Sequence, residues 1–410
     1  MRKFLIYFII FSSATALGLA ALNWKVDPYA IFQTRGGLAK GEVSPLLTLN
    51  ERVFKTVLLA RENPAAIILG TSRADIGMDP DHPALGGKRA ANLATFGQPI
   101  AESRQLLALA ASGGGLKTAV VGLDFFAFNA LFPYPSDFDT ENFAESRPLQ
   151  LAFSVTTSLD SWKYRKRARR AAGDCCLSNG ARYPNRPDQF VGHYRSHFMS
   201  SERMYLLEKY LPSPGCAFSF AGRKHASTLD ELRAMMALAH AKNIALKLFV
   251  SPSHARQWEV VASAGLWAQW QQWKRELVRI NGEEAARAGR NPFPLWDFSG
   301  YNAITTEAVP REGDLQTRMR WYSDSSHYVP ALGRVILDKM FAQPVSASNI
   351  ASSIPDDFGV LLTPATLDTQ LAAIRRGHAE YRVTHPADVA EIAGVAAEAA
   401  HRKYCAASAR

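Results

Sequence analysis

Cysteine is scarce in this chain: only Cys175, Cys176, Cys216 and Cys405 occur. None of them forms a Cys-x-x-Cys pair, which excludes zinc-finger readings. Two uses stay open. Cys216 pairs with Cys175 or Cys176 in an oxidising compartment, or all of them remain thiols. The chain also lacks an internal repeat, a long low-complexity tract and any nucleic-acid-binding motif. With 47 % hydrophobic residues in 410, this is the composition of a globular protein with a sizeable core, neither fibrous nor wholly disordered. Acidic residues are in deficit, 37 against 47 basic, for a net charge of +10. Such an excess suits contact with anionic surfaces, and with no matching motif nucleic acid is not expected among the partners.

Charge is absent altogether from Phe4 to Trp24. That stretch is long enough to cross the hydrocarbon core of a bilayer as one helix. Arg2 and Lys3 ahead of it favour a cytoplasmic N-terminus, while Lys25 just behind it weakens the asymmetry. The alternative is a cleaved signal peptide with Ala14-Thr15-Ala16 as the small-residue site. The reading adopted is an uncleaved single-pass anchor in the inner (cytoplasmic) membrane, with the rest of the chain on the periplasmic or extracytoplasmic side. Both readings export residues 25 onward.

After a connector over residues 25–60, punctuated by Asp27-Pro28 and Gly36-Gly37, short apolar runs recur. They are Ala65–Leu69, Thr118–Leu123, Ala245–Val250 and Phe293–Trp296, with Ala90–Ala94 a weaker fifth. Continuous apolar runs are expected of strands covered on both faces. Helical spacing fills the gaps: Ala101–Ala111, a helix capped by Thr228 with Glu231 and closed by Asn243, Trp258–Ala288, and Tyr328–Phe341. Strand and helix in alternation mean a mostly parallel, five-stranded sheet in an α/β fold. Residues 130–225 break the rhythm as an insertion rich in Pro, Ser and aromatics, with a basic run from Lys163 to Arg170. Residues 346–410 form an Ala-rich tail with helices.

Two segments could carry chemistry. Ser72 follows the first strand in Gly70-Thr71-Ser72-Arg73. The carboxyl ends of strands form the ligand crevice of open α/β sheets, which is where a serine nucleophile needs to stand. The second is Asp324-Ser325-Ser326-His327. A carboxylate three residues before a histidine can orient the ring while its other nitrogen takes the serine proton. Each alone has an ordinary alternative, a Gly-Thr-Ser turn and a solvated loop histidine.

Taken together, serine after the first strand and Asp-x-x-His after the last resemble the SGNH (GDSL-like) hydrolase superfamily. Asn92-Leu93-Ala94-Thr95-Phe96-Gly97 looks like its second block and Gly122-Leu123-Asp124 stands where its third would be. The resemblance covers about residues 60–345. It implies a three-layer, flavodoxin-like domain over residues 61–345, with Ser72, His327 and Asp324 as the triad and the amides of Ser72 and Gly97 holding the oxyanion. Asp124 departs from the family's Asn, because an ionised carboxylate cannot donate to an oxyanion. Three ways out stay open: a protonated Asp124, a substrate-binding Asp124, or Asn129 in its place. Asn92, Arg73 and His254 are further candidates for the oxyanion or substrate side. Arg73 would meet an acidic sugar or a phosphate, or else form a structural ion pair. His254 would face the crevice, or else be a satisfied loop residue.

Asp124, Gly70-Thr71-Ser72-Arg73 in place of the family's Gly-Asp-Ser, and Val26-Asp27-Pro28-Tyr29 after the anchor resemble a membrane-anchored branch of envelope polysaccharide O-acetyltransferase-like proteins. That implies a serine esterase or O-acyltransferase, acetyl in the first instance, acting on a cell-envelope glycan or acylated substrate. A membrane acyltransferase is an expected partner. The alternative is a non-catalytic carbohydrate-binding or assembly module. No cofactor is expected. His193 and His197, at an i, i+4 spacing, lack a patterned acidic companion, so no metal is expected either. Trp267, Trp270 and Trp273 read as a core stripe before a sugar platform, and Asp297 as a turn cap or a brace for the Asp324 loop.

Overall fold

A computed structural model describes residues 1–29, 32, 51–86, 90–133, 147–167, 177, 179–182, 187–213, 215–222, 227–343 and 354–400. Cys175, Cys176, Cys405, Gly36-Gly37 and the basic run beyond Arg167 lie outside them. Cys216 is disulfide-bonded.

The chain divides into two compact units. The first comprises Met1–Asn63 and Pro135–Tyr183. Its helices are α1 (Arg2–Val26), α2 (Glu51–Glu62), and, after the first segment of the other unit, a pair over Arg147–Ala152 and Val155–Arg167. α1 is one helix long and apolar enough to cross a membrane; a signal sequence has the same length and composition.

The second unit, Pro64–Tyr134 and Pro184–Arg410, holds the sheet. Its strands are β1 (Ala66–Leu69), β2 (Ala90–Asn92), β3 (Thr118–Leu123), β4 (Ala245–Val250), β5 (Leu295–Asp297) and β6 (Val360–Leu361), in the order 2-1-3-4-5-6. The first five run parallel and β6 runs antiparallel to β5. β1 and β2 are buried at every position, so side chains on both faces are covered. The expectation of five strands is therefore corrected to six. β6 arises inside the tail expected to be helical. It is two residues long, with Leu361 exposed, too short to have an apolar run.

The chain moves from β1 outward to β2, then back past β1 to β3. This puts the switch point, where the crevice of a doubly wound sheet opens, between β1 and β3. α3 (Ser72–Gly77) leaves β1 and α4 (Ile100–Ser112) follows β2. Numbering the paired helices of the first unit α5 and α6, the next is α7 (Tyr194–Met204), which runs directly into a π-helical turn over Tyr205–Tyr210. α8 (Thr228–Lys242) is capped by Ser227, whose side chain accepts from the Leu229 amide. That corrects the expected cap by one residue: Thr228 instead donates to the Phe128 carbonyl. Asn243 closes α8 in the left-handed region. The expected Trp258–Ala288 helix is two, α9 (Ala255–Ser263) and α10 (Trp267–Ala288), parted at Gly265, whose φ is +73°. Trp270 and Trp273 are fully buried core side chains. α11 (Pro330–Met340), α12 (Leu367–Thr384) and α13 (Pro386–Ala400) complete the unit.

Two glycines set how closely the serine helix approaches the helix after His327. A Cβ on Gly333 of α11 would lie 1.8 Å from the carbonyl oxygen of Gly77 in α3. A Cβ on Gly77 would lie 2.0 Å from the ring of Tyr328. The backbones touch where a methyl group would stand. Gly333→Ala is expected to cost about 1–3 kcal/mol through overpacking, whereas Gly282→Ala, where nothing lies within 4 Å, is expected to be neutral or slightly stabilising. Urea unfolding of the two variants checks this.

Candidate active site

Ser72 is the first residue of α3. Thr71 caps that helix by accepting the Arg73 amide, so the chain turns sharply out of β1 at the switch point. The Ser72 hydroxyl then lies 2.8 Å from His327 Nε2, across 255 residues of sequence. His327 Nδ1 lies 2.7 Å from Asp324 Oδ2. With Nδ1–H donating to the carboxylate, Nε2 is left as the acceptor facing the hydroxyl. Both ends sit just beneath the surface, Ser72 at 2 % exposure and His327 at 8 %.

The loop carrying Asp324 and His327 is tied shut. Tyr322 and Tyr328 bridge as antiparallel residues, and the Ser323 amide donates to the His327 carbonyl. Asp324 Oδ1 accepts from the amides of Ser326 (2.7 Å) and His327 (3.0 Å) and from the Ser201 hydroxyl of α7 (3.2 Å). Burial would raise the Asp324 pKa, but the His327 ring and these donors outweigh it and hold the carboxyl well below the usual carboxylate range. It therefore remains ionised to orient the imidazole. His197 Nε2 lies 3.8 Å from the other oxygen of Asp324. Burial lowers the His197 pKa against the pull of Asp324, and the ring stacks on Phe190 at 3.8 Å. His193 turns elsewhere, to Glu312 at 2.9 Å. Among the described residues no group of three His, Cys, Asp or Glu side chains could hold a metal ion.

Arg73 points inward. Its Nη1 pairs with Asp124 at 2.8 Å, with both side chains at most 2 % exposed. Thr71 Oγ1 also donates to Asp124, at 2.5 Å. Arg73 Nε donates to Ser326 Oγ at 2.8 Å, and its guanidinium lies 5.3 Å from the ring centres of Phe126 and Tyr205. Arg73 thus joins the residue after Ser72 to the residue before His327. Of its two readings, the structural ion pair is the one observed. Asp124 is the counter-ion of that pair, engaged by Arg73 and Thr71.

Gly97 has a φ of +60°. Among the described residues its amide donates to nothing, and its preceding loop is clamped by Gln98. Gln98 accepts the Gly70 amide at 2.9 Å and donates to the Leu93 carbonyl at 3.0 Å. A Cβ at Gly97 would stand 3.3 Å from Phe132 and 3.5 Å from Lys209 Nζ. Lys209 comes from the π-helical turn and lies over the rings of Phe96 and Phe132. The same turn supplies Tyr205, whose pKa burial pushes up to about 12, and Tyr210, which accepts from Gln257 while Gln257 accepts from Ser325. None of Gln98, Ser201, Tyr205 and Lys209 has a sequence signal of its own, apart from Gln98 standing next to Gly97.

Three candidates have other duties. Asn129 donates to the carbonyls of Lys209 and Tyr210 and accepts the amides of Leu131 and Ser219. It is a loop brace and does not replace Asp124. Asn92 donates to the carbonyls of Ala74 and Met78 and accepts the Ala94 amide, so it holds the end of α3 and not an oxyanion. His254 caps α9 through Nδ1 and bonds the Glu307 carbonyl through Nε2 at 2.7 Å. Its own amide donates to the Ser325 carbonyl, so it supports the triad loop from behind. Asp297 accepts from Lys274 at 2.8 Å and from Ser299, which makes it an ion-paired turn cap and not a brace for Asp324.

No protein-family model, no curated protein and no solved structure matches this chain.

Arg73→Met would leave the Asp124 charge buried without its partner, and a loss of about 3–5 kcal/mol in urea unfolding is expected. Arg73→Met with Asp124→Asn should recover more than half of it. Burial lowers the His254 pKa to about 4 from 6.5, despite the Glu307 carbonyl. The unfolded chain therefore takes up a proton first, and stability from this group is lost as pH falls from 6.5 toward 4. Between pH 7 and pH 5 the loss should be about 2 kcal/mol, and His254→Gln should flatten that part of the curve.

Proposed function

We propose that the chain is a membrane-anchored serine esterase or O-acyltransferase, built on an SGNH-type three-layer domain and acting on a cell-envelope or exported polysaccharide. One observation carries the catalytic part: the relay Ser72–His327–Asp324, at 2.8 and 2.7 Å, formed between residues 255 apart. Hydroxyl, imidazole and ionised carboxylate in this order are what an activated serine requires. The anchor rests on α1, and the glycan on the family resemblance together with the net charge of +10.

The reaction is a double displacement. His327 Nε2 takes the Ser72 proton as Oγ bonds to the acyl carbon. The tetrahedral oxyanion is held by the amides of Ser72 and Gly97. As it collapses, the bond to the leaving oxygen breaks and His327 returns the proton to that oxygen. Water or a sugar hydroxyl then gives its proton to His327, attacks the acyl-serine, and releases acid or new ester with Ser72 restored. Asp324 keeps the tautomer and steadies the imidazolium.

A carbohydrate-binding module that has kept the relay without turnover is the second reading. It is favoured by Asp124 standing, paired with Arg73, where the resemblance has an oxyanion-donating Asn. A fluorophosphonate probe separates the two. The enzyme should be labelled on Ser72, with labelling abolished in Ser72→Ala and reduced by several orders of magnitude in rate in His327→Ala. An unlabelled, folded wild-type chain would leave the binding reading.

A further inference from the structure

In the first unit, α6 is inside out. Its polar residues Thr157, Asp160 and Ser161 are buried, while Val155, Leu159 and Trp162 are 62 %, 56 % and 59 % exposed. Those three positions, at i, i+4 and i+7, form one stripe along the helix. Leu149 of α5 and Phe153 in the turn after it are exposed as well, at 65 % and 46 %. A helix in water carries its stripes the other way round. Five large apolar side chains exposed between residues 149 and 162 exceed the scattered exposure ordinary for soluble surfaces.

Two residues of the buried polar face, Ser161 and Asp160, bond to the end of α1 and to the chain just past it. Asn23, itself fully buried, donates to the carbonyls of Ala152 (2.8 Å) and Ser154 (3.0 Å) and accepts from the Ser161 hydroxyl (3.3 Å). Tyr29, three residues past α1, donates to Asp160 at 2.6 Å. The only buried residue along α1 is Asn23, and the apolar side chains from Phe4 to Phe11 all face outward. The α5–α6 pair is therefore fixed to the last turns of a helix whose whole length calls for apolar surroundings. Its own exposed stripe is apolar in the same way. Trp24, Trp162 and the cations Lys25 and Lys163 at this end are the residue types that settle at a membrane–water boundary.

We propose that residues 147–163 are a second membrane-contacting element: the α5–α6 pair lies in the interfacial layer of the bilayer that α1 enters, with Leu149, Phe153, Val155, Leu159 and Trp162 among the acyl chains. This rests on α1 being retained in the membrane and is independent of the acyl chemistry proposed for Ser72. Its consequence is that the chain leaves the bilayer through a braced base in place of one flexible stalk.

The full chain, reconstituted in phosphatidylethanolamine–phosphatidylglycerol vesicles doped with a lipid carrying a diazirine in its acyl chain, tests it by irradiation, trypsin digestion and mass spectrometry. Adducts are expected on the α1 peptide and on the peptide ending at Lys163. Leu159→Asp with Trp162→Glu should lower the second set by roughly tenfold or more and leave α1 labelling unchanged. Adducts on α1 alone in the wild-type chain would overturn the proposal and leave the anchor standing, as would an unchanged second set in the variant. Adducts on neither peptide would overturn the anchor together with it.

Discussion

A single buried ion pair sits under the whole Ser72–His327–Asp324 arrangement. Arg73 and Asp124 are out of water at the carboxyl ends of β1 and β3, the two strands that flank the switch point. Charges this deep are tolerable only together, and their remaining hydrogen-bonding capacity must also be met. Two of the bonds that meet it build the site. Asp124 takes the Thr71 hydroxyl, which fixes the turn into α3, and Arg73 Nε takes the Ser326 hydroxyl, which fixes the loop of His327. The distance between hydroxyl and imidazole is thus set by groups one residue away from each, on a pair that cannot shift without exposing a charge to apolar surroundings.

The same pair resolves a chemical difficulty. A lone carboxylate beside a developing oxyanion would raise the barrier it is meant to lower. Held by Arg73, Asp124 has its charge offset inside the site, and in the proposed reaction stabilisation of the oxyanion falls to backbone amides. Gly97 is the candidate donor in that proposal: its backbone is left-handed, and Gln98 keeps its loop against β1. A side-chain donor like the Asn of the resembling family is not required by this geometry. Asn129, the nearest in sequence, is consumed by the π-helical turn that carries Tyr205 and Lys209 to the site.

Which parts were legible in the sequence follows from how each is encoded. β1, β3 and β4 are local apolar runs, and the strands form within a residue of where those runs stand. Ser72 and His327 are legible because strand order and chain order together put their loops at one sheet edge. Asp324 is legible because three residues of spacing suffice to bond it to His327. Side-chain direction is not encoded locally. Arg73, Asn92, Asn129 and His254 are polar residues at or just past the ends of strands, and only packing decides that each bonds inward. β6 has two residues and no pattern, so its pairing depends on β5 already being in place.

Periodicity also misleads where the solvent assumed is the wrong one. The apolar residues at 155, 159 and 162 have the spacing of a core-facing stripe, and in water that stripe would be the buried one. Instead the buried side is held by directional bonds to Asn23 and Tyr29, which an apolar stripe could not make. Burying one large apolar side chain is worth about 1.5–3 kcal/mol, and leaving five exposed forgoes that many times over. Polar bonds worth about 1 kcal/mol each would not hold the helix this way round in water. In the interfacial setting proposed for this helix, the outward side chains are instead surrounded by hydrocarbon. The helix reads as inverted only until the medium around α1 is taken as its solvent as well.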